Sequence, residues 1–473
     1  MKRRKLARML PVVVAGVAAV ATLAACGSSG NKTAATTAAA PPATSAPASA
    51  PASAPASTPA APLSGTISLW HEWTDREAGV IQSVIDDFTA ANPGVKVNVH
   101  GGQDDDKLQK AIAAGNSVDV AISFSGDIVG PFCSSGAFKD LAPYIAQDNV
   151  DISQLSDVPA AYTQFNGKRC AMPLLADAYG LYYNKDILAK YGYTDPPKTL
   201  GELETMALKM TTYNADGSIK TLGFNPMMGF YENASTNIGP AAGAPWLNSD
   251  ATQSAIDSNG AWADLMAWQK GFVDKIGYDK LNKFTAGLGQ EFEANNAFET
   301  GQVAMLLDGE WRTAFIKDDL AGKTPLNYGT APFPTADDHT DLYGGGFITG
   351  TIIGIGKGSK NPDLAWALVK YLTMDTGAVV KLANGLGNVP TTKDALASPD
   401  LNLGDQFQTF LDVMNNPNSQ GPPVSMIGTA PMDALDQFWQ KYQSGGASDL
   451  NGGISSVSKD VNNQLSLAGA GGP

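Results

Sequence analysis

The stretch AMPLLADAYGLYYNKD, residues 171–186, decides the fold. Pro173-Leu174-Leu175 reads as the end of a buried strand. Asp177 and Tyr179 fall in a short turn with Gly180. Leu181-Tyr182-Tyr183 is apolar and aromatic enough to begin a second strand. Asn184-Lys185-Asp186 then opens a helix. A polar turn carrying an acid and an aromatic suits a seam where two sheets exchange a strand and a ligand can lie. An ordinary strand–turn–strand connection has the same local composition.

Upstream, Thr66–Trp70 alternates as a strand, His71-Glu72-Trp73 follows as a loop, and Thr74 with Glu77 fits a capping box. Val80, Ile81, Val84, Ile85 and Phe88 make the apolar face of a helix that Asn92-Pro93-Gly94 stops. Val95, Val97 and Val99 alternate as the next strand, giving a strand–helix–strand unit with a right-handed crossover. Residues 104–114 read as a helix. Residues 118–124 read as a buried strand that ends at the polar loop Ser125-Gly126-Asp127. In open α/β sheets, ligands gather beyond the C-terminal ends of strands.

These features resemble the family 1 extracellular solute-binding proteins, the sugar-binding components of ABC importers related to the maltose-binding protein. Residues 171–186 resemble that family's "P…(D/E)..GLYYNKD" segment, where the chain crosses between lobes. FTAANPGVKV, DLAPYI, PPKTLGEL, FETGQVAMLLDGEW and SKNPDLAWALVKYL resemble further family segments, so the resemblance runs from about residue 65 to the C-terminus. It implies an α/β fold of two lobes, each a mixed sheet flanked by helices, with a ligand cleft between them. The lobes are expected at 65–177 plus 328–375 and at 178–327 plus 376–473.

Residues 1–26 read as a targeting segment: a basic n-region, an apolar stretch too short to span a bilayer, and Leu23-Ala24-Ala25-Cys26-Gly27 as a lipobox with Cys26 as the lipidated residue. Residues 27–64 are an Ala/Ser/Thr/Pro-rich tether that cannot bury a core and would reach on the order of several tens of ångströms. Loss of the targeting segment leaves 27 basic against 46 acidic residues and only Arg76, Arg169 and Arg312 as arginines. Such a chain is ill-suited to nucleic acid or to an anionic ligand that needs clustered arginines, and a neutral ligand is favoured. Cys133 and Cys170 are expected to pair in an oxidising compartment. The three histidines, His71, His100 and His339, fit no metal-site spacing. No cofactor and no metal is expected.

Other readings extend along the chain. Thr199–Met210 is amphipathic, Trp262–Phe272 and residues 293–300 read as helices, and residues 302–307 read as a strand running into Asp308-Gly309-Glu310-Trp311. The Gly344–Gly346 run lacks the Lys-Ser/Thr of a phosphate loop and is read as permitting close backbone approach. Asn361 and Pro362 read as the cap and first position of a helix.

Neutral sugars need paired donors and acceptors for their hydroxyls and aromatic planes for their C–H faces. The candidate ligand residues are therefore His71, Glu72, Trp73, Ser125, Asp127, Asp177, Tyr179, Trp246, Glu310, Trp311, Gly346 and Phe347. The expected partners are a carbohydrate and the transmembrane permease of an ABC importer. The expected particle is a monomer held on the outer face of a bacterial membrane by its lipid alone. The reading is of a binding protein. A surface glycoside hydrolase, needing two carboxyls about 5–10 Å apart, is the alternative.

Overall fold

The computed structural model describes residues 62–115 and 118–470. The targeting segment, Cys26 and all but the last residues of the tether lie outside them. The described chain is a mixed α/β fold of two lobes organised on one ten-stranded sheet. Its strands are β1 (Ser64–Trp70), β2 (Gly94–His100), β3 (Val120–Ser123), β4 (Ala171–Asn184), β5 (Thr212–Tyr213), β6 (Ile219–Phe224), β7 (Val303–Gly309), β8 (Tyr328–Ala331), β9 (Ile348–Ile355) and β10 (Val389–Pro390).

Residues 171–184 form one continuous strand, β4, instead of the expected strand–turn–strand. The reason lies in the pairing. Met172–Ala178 pair antiparallel with β9, and Leu175 and Ala176 also pair with β10. From Tyr179 onward the partners become β7 and, from Leu181, β8. The polar residues read as a turn mark this exchange of partners, and the backbone stays extended through it. Gly180 serves close approach: a Cβ there would lie 3.0 Å from the Ala331 carbonyl oxygen and the Phe410 ring.

The exchange divides the molecule into two packed halves. Beside the first half of β4 the order is β9, β3, β1, β2, with β1 parallel to both β2 and β3. The helix Asp75–Ala91 connects β1 to β2 and buries Ile81, Val84, Ile85 and Phe88, the spacing of one helical face. The helices Pro362–Met374 and Thr376–Leu386 join the same core through Leu364, Leu368, Leu372, Leu382 and Leu386. On the opposite face, Phe132, Phe138 and Ile352 pack around Cys133 and Cys170, which are disulfide-bonded as expected. Beside the second half of β4 lie β7, β6 and β5, with β8 on its other edge. Their core includes Trp262, Phe272, Phe298, Leu307, Phe410 and Trp439.

Several local readings change. Thr74 sits at the expected cap position but makes no cap hydrogen bond, and Glu77 instead lies 3.7 Å from the Arg76 guanidinium. Asn361 does not cap its helix; its Nδ2 donates to the Thr66 carbonyl at 3.0 Å, while Pro362 holds the first position as expected. Residues 293–300 form turns in place of a helix, because the Asn296 side chain captures the backbone: its Nδ2 donates to Glu291 O and its Oδ1 accepts from Phe298 N–H. The backbone approach at Gly345 and Gly346 is to the chain itself, since added Cβ atoms would lie 2.9 Å from Asn418 and Val413. Among the described residues, no helix is long and apolar enough to cross a membrane.

Candidate functional site

A cleft of about 530 Å³ opens where β4 changes partners. Five of the expected ligand residues line it: Glu72, Trp73, Asp177, Tyr179 and Trp311. They arrive from three directions. Glu72 and Trp73 follow the C-terminal end of β1, Asp177 and Tyr179 flank the exchange point, and Trp311 follows β7. The aromatic residues of the cleft come in pairs. Trp73 packs on Phe124 at 5.3 Å, and Tyr179 meets Trp311 edge-on at 5.4 Å. Phe292 and Phe315 close another side at 5.5 Å. Phe124 and Phe292 keep 38% and 54% of their surface exposed, which leaves apolar faces open to a ligand.

The floor is built from a buried polar bridge. Asn388 Nδ2 donates to Asp177 Oδ1 and to Glu310 Oε1, each at 2.7 Å. Glu310 Oε2 accepts the Ala178 N–H at 2.7 Å. Burial pushes the Asp177 carboxyl up to about 7, against the opposing hydrogen bonds from Glu310 and Asn388. Burial and the neighbouring Asp177 charge push Glu310 up as well. Burial, then the Asp105 charge, raises Glu72 to about 7, although its Oε1 accepts the Phe124 N–H. Glu232, on the opposite lip, is raised to about 7 by burial and then by Asp308.

Behind that lip, Arg312 is fully buried. Its Nε donates to Asp308 at 2.7 Å, its second nitrogen reaches Glu299 at 3.2 Å, and its guanidinium lies over Phe315 and Phe292. The arginine thereby fixes the cleft's aromatic wall from behind.

The other expected residues sit elsewhere. Glu310 lies under the floor and touches the site through Asn388. His71 is buried behind Trp73 at 5.8 Å between ring centroids, and burial lowers its pKa to about 4. Ser125 accepts the Asp127 N–H and donates its hydroxyl hydrogen to Asp127 Oδ2, a local turn that starts a short helix. Trp246 packs at a tilt against Trp262, ring centroids 4.5 Å apart, in the second core. Gly346 N–H donates to the Ser419 hydroxyl and its carbonyl accepts from Gln420 N–H, while the Phe347 carbonyl accepts from Tyr179 N–H and its ring backs Tyr179 at 5.7 Å.

Cleft residues absent from the sequence reading are Thr74, Asp75, Arg76, Glu77, Phe124, Glu232, Phe292, Phe315, Thr351 and Asn388. The first four were visible as a helix start but absorbed into a capping motif. Asn388 lies between the helix Thr376–Leu386 and β10. A surface groove of about 630 Å³ near Lys220, Lys280 and Lys283 is larger, but it lies on the outer face of the second half and gathers none of these aromatic residues.

Residues 83–409 match the family model described as bacterial extracellular solute-binding protein. The chain is 24% identical over 340 residues to a maltotriose-binding protein of Pyrococcus abyssi, covering 72% of this chain and 69% of that one. It is 25% identical over 280 residues to a maltodextrin-binding protein of Bacillus subtilis, covering 56% and 58%. Among solved structures, a protein with mannotriose bound superposes with a TM-score of 0.74 at 25% identity, covering 84% of this chain and 99% of that one. The maltose/maltodextrin-binding domain of Bdellovibrio bacteriovorus superposes with a TM-score of 0.68 at 22% identity, covering 85% and 100%, and shows the same fold.

Proposed function

Because the chain belongs to the bacterial extracellular solute-binding protein family, we propose that it captures a carbohydrate in the cleft at the β4 exchange point and delivers it to an ABC importer. The observation that carries this reading is the cleft's composition. Aromatic faces from Trp73, Phe124, Tyr179 and Trp311 suit the C–H faces of a pyranose, and the carboxyls of Glu72, Asp177 and Glu232 suit its hydroxyls. Relatives named for maltotriose and maltodextrin, and a structural neighbour with mannotriose bound, support the same substrate class.

In this reading the two halves are lobes. The first comprises the elements paired with the front of β4, including the helix Thr376–Leu386 and β10. The second comprises those paired with its rear, including β8; this differs from the expected bounds, which put residues 328–375 in the first lobe and 376–473 in the second. Ligand binding closes the lobes on β4 and the other crossing segments, and the permease recognises the closed form. The protein binds and releases its sugar unchanged. Cys26 carries a lipid that holds a monomer outside the membrane, with residues 27–64 as its tether.

Titration calorimetry of the purified protein against mono- to trisaccharides tests the reading. Saturable binding that Trp311→Ala and Trp73→Ala each weaken by about tenfold or more is expected, since each removes an aromatic face worth about 1–2 kcal/mol. Sugar hydrolysis, or binding indifferent to both substitutions, would overturn it.

A further inference from the structure

One helix turns two faces to two lobes. The helix Arg312–Asp319 follows β7 and joins the second lobe's core through Ile316. Arg312, one turn earlier on the same face, pairs inward with Asp308 and Glu299. Ala314, Phe315 and Asp318 recur at the spacing of another face, and each meets the first lobe. A Cβ at Gly387, just past the helix Thr376–Leu386, would lie 2.9 Å from the Ala314 Cβ. Phe315 and Asp318 are both reached by Arg76, from the first turn of the helix Asp75–Ala91.

Arg76 is itself anchored in the first lobe. Its Nη1 donates to the Gly385 carbonyl at 2.7 Å, in the last turn of the helix Thr376–Leu386, where a cation also suits the helix dipole. Its Nε lies 3.4 Å from Asp318 Oδ2, and its guanidinium carbon lies 5.4 Å from the centre of the Phe315 ring. Glu77, at 3.7 Å, shares the charge from within the same helix. One planar, forked cation thus holds a carbonyl of its own lobe together with a ring and a carboxylate of the other. The single nitrogen of a lysine has no such fork. Arg76 and Phe315 line the cleft. Asp318 is not among the lining residues, and half of its side chain stays exposed.

We propose that Arg76 is a latch between the lobes: its grip on Phe315 and Asp318 stabilises the closed cleft and slows the escape of whatever the cleft holds. This is a positioning role, exerted through the lobes. It rests on the two-lobe reading of the cleft and is independent of the ligand's being a sugar.

Pulsed electron paramagnetic resonance on the full chain without ligand tests it. Spin labels at Asp106→Cys, on the helix Asp105–Ala113 of the first lobe, and at Lys283→Cys, on the helix Tyr278–Thr285 of the second, report the separation of the lobes; both positions are exposed. Asp318→Asn, a surface change, should shift the ratio of open to closed molecules by about two- to fivefold. Arg76→Met, which also loses the ring contact, should shift it by about tenfold. Asp318→Glu should restore the wild-type distances. Distances unchanged in Arg76→Met overturn the latch, and an equal shift in Asp318→Glu and Asp318→Asn overturns the ion pair's part in it. With maltotriose as the probe, stopped-flow dissociation should quicken by the same factors while association changes less than about twofold. Unchanged dissociation in both variants would also overturn the proposal. If maltotriose does not bind, the ligand-free distances decide the latch, and the carbohydrate reading is decided by its own titrations.

Discussion

Removing the Asn388 amide should destabilise the molecule out of proportion to the atoms lost. In Asn388→Ala the cavity left is small, but two carboxyl oxygens, Asp177 Oδ1 and Glu310 Oε1, lose a donor at 2.7 Å. Both residues are buried, with Asp177 8% exposed and Glu310 fully enclosed, so water does not readily replace the amide. An unsatisfied buried acceptor costs about 1–3 kcal/mol, and the two carboxyls can recover part of this by sharing a proton, so the net loss should be about 2–4 kcal/mol. Urea unfolding followed by tryptophan fluorescence at pH 7 reads it directly. A smaller loss at pH 5 is a second signature, because protonating the second carboxyl removes the remaining buried charge that the amide had stabilised. A loss under about 0.5 kcal/mol, or one independent of pH, would refute the bridge as the floor of the site.

The raised carboxyls carry a sign of their own. Asp177, Glu232 and Glu72 lie near 7 when folded, above ordinary carboxyl values, so the folded state holds more protons than the unfolded one between those limits. Stability of the unliganded protein should therefore fall as pH rises from about 4 to 7, and Glu232→Gln should flatten that slope, measured by denaturant midpoints across pH. Arg312→Met should cost about 3–5 kcal/mol in the same assay by stranding Asp308 and Glu299 in the interior. Replacing both Cys133 and Cys170 by serine opens a link spanning 37 residues and should cost about 4 kcal/mol at most against the disulfide-bonded wild type, with little further loss against the reduced one.

Much of the fold was legible because periodicity and punctuation agreed. The alternation in β1 and β2, the 81–84–85–88 face between them and the Asn92 stop all reappear. The central strand was misjudged for a physical reason. Asp177, Tyr179 and Gly180 look like turn residues locally, yet their conformation is set by partners more than a hundred residues away. Site residues at strand ends, such as Trp73 and Trp311, could be found from sequence. Glu232, Phe292 and Asn388 could not, since each reaches the cleft from a loop whose path only the packed structure defines. Trp246 shows the converse: an aromatic in a long glycine-rich loop that packs against Trp262 and helps fill the second core.

We propose that the cleft at the β4 exchange point binds a carbohydrate. The most direct test is calorimetric titration of wild type and Trp311→Ala with the saccharide that most raises the wild type's melting midpoint. Saturable one-site binding that weakens at least about tenfold in the variant, while both proteins unfold at similar midpoints without ligand, is the predicted result. Equal affinity in the two proteins would place the sugar elsewhere and contradict the account.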